Sequence, residues 1–213
     1  LPLWILLIGS IVLYMIAHAI QQDDFRHIRT LAELNAVTYG DNMIADLYAG
    51  ISITDTLEQL LISTDGRIDK FDIIADRMMA DYVRSIQVAP GGIVTDIYPA
   101  EGNEAGKIDL IHDKYRGETV NYSIANDVLI IHGPFELEQG GHVLSIRNPV
   151  FLQDEKGTPY FWGMTMVIIK VPDIFQHSAD ALTNFGYQYR LSKTISPLTD
   201  EYTVVDQSEE TLM

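Results

Sequence analysis

Cysteine is absent from the 213 residues. That excludes disulfides, thiolate metal centres and a thiol nucleophile. Basic residues are scarce: fourteen Lys and Arg stand against thirty Asp and Glu, a formal charge of −16. Nucleic acid and anionic lipid head groups are recognised by basic patches, so nucleic acid is not expected as a partner. The partners expected instead are neutral or cationic, or an anion held at one local basic site. Catalytic signatures are missing as well: no G-x-S-x-G elbow, no G-x-x-x-x-G-K-[ST] phosphate loop and no H-E-x-x-H. Gly91-Gly92 and Gly140-Gly141 read as turns, without the strand-to-helix setting of a phosphate cradle. There is no internal repeat and no low-complexity tract.

What is present begins with "LPLWILLIGSIVLYMIAHAI", which carries no charge before Asp23. Twenty helical residues span about 30 Å, the thickness of a bilayer's hydrocarbon core. The expectation is a transmembrane helix over 1–22, which would put the chain at a cell membrane with everything after about residue 22 outside the cytoplasm. A cleaved signal peptide is the rival reading, because Ala17-His18-Ala19 has the form of a cleavage site. From Phe25 to Ile62, apolar residues at Ile28, Leu31 and Leu34, then Ile44, Leu47, Ile51, Leu57 and Leu61, predict a long stalk helix over 23–66, bent near Gly40. Its stripe packs either against the chain's own domain or against a second copy.

Asp65-Gly66 in "STDGRID" stops that helix, and Asp69 is placed to cap a second one reaching about Ser85. The pattern then turns to strands. Residues 86–99 read as strand, turn, strand around Pro90-Gly91-Gly92, 100–110 as a loop and 116–127 as a short helix. "VLIIHGP" (128–134) reads as a buried strand, and 142–152 with 160–170 as an antiparallel hairpin. A short helix follows over 171–182. This order predicts an α+β fold, an antiparallel sheet of about five strands with helices, on the PAS-like plan. A ligand-binding domain over 67–178 follows, and a second hairpin in 179–213 reads as the start of a smaller PAS-like subdomain. Sheets of this kind often leave a cavity under their helices.

Two groups of residues invite a chemical reading. Asp109, His112, Asp113, His132 and His142 suggest a metal site, but their spacings fit no known ligand set. Arg147 is the second. It sits in "GGHVLSIRNPV" between strongly apolar strands, and Val143, Ser145 and Arg147 share one face while Leu144 and Ile146 share the other. On a covered face the arginine needs a carboxylate or a ligand, because an unpaired buried charge is costly. On an outer face it is merely solvated. Alternation alone favours the outer face, since Leu144 and Ile146 look like core.

The segments "APGGIVTDIYPAEGNEAGKIDL", "GPFELEQGGHVLSIRNPVF", "YFWGMTMVIIKVPDIF" and "ALTNFGYQYRL" resemble, in order, the CHASE domain over residues 70–206. That is the extracytoplasmic sensor of bacterial histidine kinases and diguanylate cyclases and of plant cytokinin receptors. The resemblance implies a stalk helix, a membrane-distal PAS-like subdomain that binds ligand, a membrane-proximal one that is incomplete here, and a cytoplasmic output module. It implies no catalysis by this chain and no cofactor. The family's ligand-contacting aspartate before the short helix falls at Asp109. The position two before the strand's proline, a small hydroxyl residue in cytokinin binders, is Arg147 here. Cytokinin therefore fits poorly, and a ligand bearing an anionic or carbonyl group is implied, which a guanidinium grips bidentately. On this reading Val143, Ser145 and Arg147 line the pocket, and Asp109 neutralises Arg147 in the empty site.

The function expected is an extracellular sensor that binds a small ligand and signals through stalk helices, as a homodimer. The alternatives are a membrane-anchored binding or adhesion module without a signalling role, and a metal-dependent hydrolase built on the His/Asp group.

Overall fold

Helix-forming residues dominate the first third of the chain, and they form one helix, α1 (Leu3–Ser63), that passes through Gly40 without a break. The structure is a computed structural model that describes residues 3–100, 106, 108–136 and 141–208. It forms two compact units, Leu1–Asn42 and Met43–Met213. Much of the expected 100–110 loop, Gly140 and the last five residues lie outside the described residues.

In the first unit Phe25, Ile28, Leu31, Leu34 and Val37 are exposed. The expected membrane span is corrected here: among the described residues, no helix is long and apolar enough to cross a membrane. A membrane-anchored helix over 1–22, a cell-membrane location and the labels membrane-distal and membrane-proximal lose their support with it.

In the second unit α1 becomes a core element. Its buried positions are Met43, Gly50, Ile53, Thr54, Leu57 and Leu61, a stripe at helical spacing. Of the residues expected on the stripe, Leu57 and Leu61 are there, while Ile44 is exposed. The stripe lies on a five-stranded antiparallel sheet of order β2-β1-β5-β4-β3. The strands are β1 (Val83–Pro90), β2 (Asp96–Tyr98), β3 (Ile130–Glu136), β4 (His142–Gln153) and β5 (Pro159–Val171). Three contacts fix which face α1 covers. A Cβ on Gly50 would come 3.1 Å from Ile146 Cδ1. Asn148 donates to Glu58 at 2.7 Å, and Thr165 donates to the Thr54 carbonyl at 3.1 Å.

Helix α2 (Phe71–Met78) is shorter than expected. Val83 and Ser85 pair with Ile169 and Ile168, so strand pairing claims the residues that helical spacing had assigned to the helix. Asp69 does not cap α2; the residue before the helix is Lys70, with left-handed backbone. Helix α3 (Gly117–Asn126) crosses the sheet's other face, and its Val120 joins Ala89, Val94, Ile97, Leu110, Ile130, Met164 and Met166 in a second core. Strand β4 does not end at its proline. Pairing with β3 stops at Ile130–Arg147, so beyond Arg147 only β5 pairs with β4, and Pro149's missing N–H breaks no ladder there. A 3-10 turn, Asp173–Phe175, leads into α4 (Gln176–Asn184), and β6 (Arg190–Thr194) with β7 (Tyr202–Gln207) forms a separate two-stranded sheet.

Candidate functional site

Register decides where Arg147 points. Cross-strand partners share a face. Ile130, Arg147, Met166, Gln87 and Ile97 form one row across the sheet, and His132, Ser145, Ile168 and Ser85 form the next. Ile130, Met166 and Ile97 belong to the core under α3. Arg147 therefore lies on the α3 face, opposite the face that carries Ile146 and α1. Both faces are covered, which the alternation of apolar residues did not reveal.

The α3 face holds an unusual set of polar side chains. Ser85, Gln87, Ser145 and Arg147 are all buried on it. Gln87 donates to Ser85 at 2.9 Å. Ser145 Oγ and the Arg147 Nε and Nη1 are buried with no hydrogen-bond partner among the described residues. A guanidinium only 2% exposed in that condition is costly. Burial first, and then the charge of Arg116, push its pKa down to about 10, while Asp113 works in the opposite direction.

Asp113, rather than Asp109, is the acid that answers Arg147. Burial pushes Asp113 up, but the amides of Tyr115 and Arg116 and the charges of Arg116 and Arg147 outweigh it and hold the carboxyl low. One of its oxygens also accepts from those two amides, at 2.9 Å each, at the start of α3. The Asp109 carboxylate turns to its own loop. It accepts from the amides of Ile111 and His112 at 3.1 Å and meets the His112 ring at 2.8 Å. The His112 amide foremost, then its ring, hold Asp109 below the usual carboxylate range. Val143 is buried on the Arg147 face but farther along β4, level with Phe135 and Lys170.

His132 belongs to the His/Asp group whose spacings fit no known ligand set. It stands opposite Ser145. Burial first, then the charges of Arg147, Arg116 and Lys193, lower its pKa to about 4. It is thus a neutral imidazole among cations at neutral pH. Among the described residues, no three His, Asp or Glu side chains could hold a metal ion. His142 pairs with Glu136 at the other end of β4.

His132 also lines a cleft of about 520 Å³, a size suited to a small molecule. Gly133, Pro134 and Phe135 form part of the same wall, where β3 shifts register against β4. Tyr115 and Glu118 contribute from α3, and Ile195 and Thr203 from the β6–β7 hairpin. Arg116 lies 6.0 Å from the Phe135 ring centre. Arg147 does not line the cleft; it lies one cross-strand row from His132 on the same face of the sheet. A larger cleft of about 1050 Å³ beside α4 is bordered by Asp173, Asp180 and Asp206, a poor setting for an anion.

No protein-family model matches this sequence, and no curated protein matches it. The CHASE resemblance therefore gains no match of its own. Solved structures share the fold, among them the following two. One is an extracellular ligand binding receptor from Desulfohalobium retbaense, 15% identical with a TM-score of 0.53, aligned over 68% of this chain and 26% of that one. The other is the ligand-binding domain of the Pseudomonas aeruginosa PAO1 amino acid chemoreceptor PctC in complex with GABA, 17% identical with a TM-score of 0.51 over 78% of this chain and 70% of that one. The chain spans about a quarter of the length of the first. At such identities the likeness is one of fold: an α+β architecture shared with extracellular ligand-binding receptor domains.

Proposed function

We propose that this chain is a non-catalytic sensor domain of CHASE type that binds a small ligand through a carboxylate or carbonyl group at Arg147. The observation that carries this reading is Arg147 itself: 2% exposed, on the α3 face, with Nε and Nη1 unpartnered among the described residues. A ligand oxygen would supply the missing acceptors, and charge-assisted hydrogen bonds of that kind are strong. Ser145 Oγ, also unpartnered, would give the ligand a second contact on the same strand. Val143 bounds the pocket. Asp109 is left out of it because its carboxylate is committed to its own loop.

The route outward is α1. Its Glu58 is bonded to Asn148, the residue next to Arg147. A ligand with different affinities for two placements of β4 would shift α1 between them. That shift would drive an output module such as a histidine kinase or a diguanylate cyclase, with α1 pairing with its copy in a homodimer. The test is a thermal-shift screen of the full chain against small carboxylates and carbonyl compounds, since a ligand that binds the folded state raises the melting temperature. We expect at least one to do so and Arg147→Met to abolish the effect. An unchanged shift in Arg147→Met overturns the reading.

A further inference from the structure

We infer that the ligand carries a second anionic or carbonyl group, which Lys193 of the β6–β7 hairpin receives across the cleft that His132 lines. This rests on Arg147 being the first contact. Lys193 stands opposite Thr203, so the two side chains share a face of the hairpin, and Thr203 lines the His132 cleft. The Lys193 ammonium is thus on the cleft side. It donates to the carbonyl of its own neighbour Thr194 at 2.5 Å, which leaves donors of its three free. Burial already weakens its protonation, so an anion beside it recovers a solvation that water does not fully supply.

His132 lies one cross-strand row from Arg147 on the same face of the sheet, and it lines the cleft together with Thr203, the partner of Lys193. The cleft thus lies between the Arg147 row of the sheet and the Lys193 face of the hairpin. A single carboxylate reaches one of the two cations, and a two-headed ligand reaches both. The cleft's own acid is Glu118, which is exposed on the first turn of α3, two residues from Arg116. It is the site for an ammonium if the ligand is zwitterionic. The half-buried Lys193 is the more poorly solvated of the two charges, and it decides for the anion. Contact through Lys193 also draws the hairpin onto β3, which matters because two strands are marginal on their own.

Calorimetric titration of the full chain with succinate, butyrate and GABA separates the possibilities. Succinate should bind roughly tenfold tighter than butyrate, the worth of one charge-assisted hydrogen bond. Lys193→Gln should bring succinate down to the butyrate level and leave butyrate unchanged. Arg147→Met should remove both. If Lys193→Gln leaves succinate untouched, or if GABA binds tighter than succinate, the Lys193 contact is wrong while Arg147 stands. If butyrate and succinate bind Arg147→Met as well as the parent, or bind neither protein, both readings fail.

Discussion

Arg147 of β4 stands in register with Met166 of β5, so a guanidinium shares its face of the sheet with a hydrophobic core. Among the described residues nothing hydrogen-bonds to its Nε and Nη1, and the charge of Asp113 only partly offsets the burial. Replacing a buried charge with an apolar side chain of similar length is neutral or stabilising, often by about 1–4 kcal/mol. Arg147→Met should therefore unfold at higher urea concentration than the parent while losing ligand response. Arg147→Ala leaves a cavity instead and should unfold at lower urea than Arg147→Met. A ligand-free Arg147→Met that is clearly less stable than the parent would mean that the guanidinium is satisfied in place.

His132 makes stability depend on pH. Its folded pKa, about 4, lies below its ordinary value of 6.5. Between those values the unfolded chain holds a proton that the folded one refuses, so stability falls as pH drops from about 6.5 towards 4. The ring is partly exposed, and solvent screening reduces the effect to about 1–2 kcal/mol. Melting temperatures measured from pH 7 to 4 should fall more steeply for the parent than for His132→Gln. Parallel curves would place the acid-sensitive group elsewhere.

The strands of the β4–β5 hairpin were legible because both are long, β-rich and bounded by the polar Asp154–Thr158 stretch. Residues 80–85 were not. Tyr82 and Met78 keep helical spacing with Phe71, yet Val83 and Ser85 gain strand partners from β5, a choice that only the tertiary fold makes. Alternation named Val143, Ser145 and Arg147 as one set. It misjudged their exposure because α1 covers one face and α3 the other, and apolar residues cannot mark the outside of a sheet that has none. Asp109 and Asp113 look alike in sequence; the backbone of the loop turns one towards His112 and the other towards the start of α3. Lys193 lies in a hairpin remote along the chain, and no local pattern ties it to His132.

Two glycines of α1 should respond in opposite ways. Nothing lies within 4 Å of a Cβ built on Gly40. Gly40→Ala should stabilise the helix by about 1 kcal/mol, the difference in helix propensity. A Cβ on Gly50 meets Ile146 Cδ1 at 3.1 Å and Ile169 Cγ2 at 3.6 Å. Gly50→Leu has no room and should cost about 1–3 kcal/mol by forcing α1 off the sheet. Urea unfolding of the two variants checks both signs. Equal effects would mean that α1 does not approach β4 as closely as Ile146 indicates.

The fold should tolerate Glu58 better protonated than ionised, because burial outweighs the Asn148 bond that favours its carboxylate. Burial, foremost, raises the Glu58 pKa, opposed by the Asn148 hydrogen bond. A raised carboxyl contributes stability that is full below its unfolded pKa and is lost as pH rises through the folded one. Glu58→Gln keeps an acceptor for Asn148 without the charge, so it should match or exceed the parent's stability at pH 7 and lose that pH dependence. Glu58→Ala leaves the Asn148 amide, 9% exposed, without its partner and should cost about 1–3 kcal/mol. Because the same bond joins α1 to the residue beside Arg147, Glu58→Ala should also uncouple the helix from the pocket. Hydrogen exchange of α1 between Gly50 and Leu61, measured with and without a carboxylate that raises the parent's melting temperature, should respond in the parent and in Glu58→Gln but not in Glu58→Ala. A ligand response that persists in Glu58→Ala would assign the coupling to the apolar contact of Gly50 with Ile146 instead.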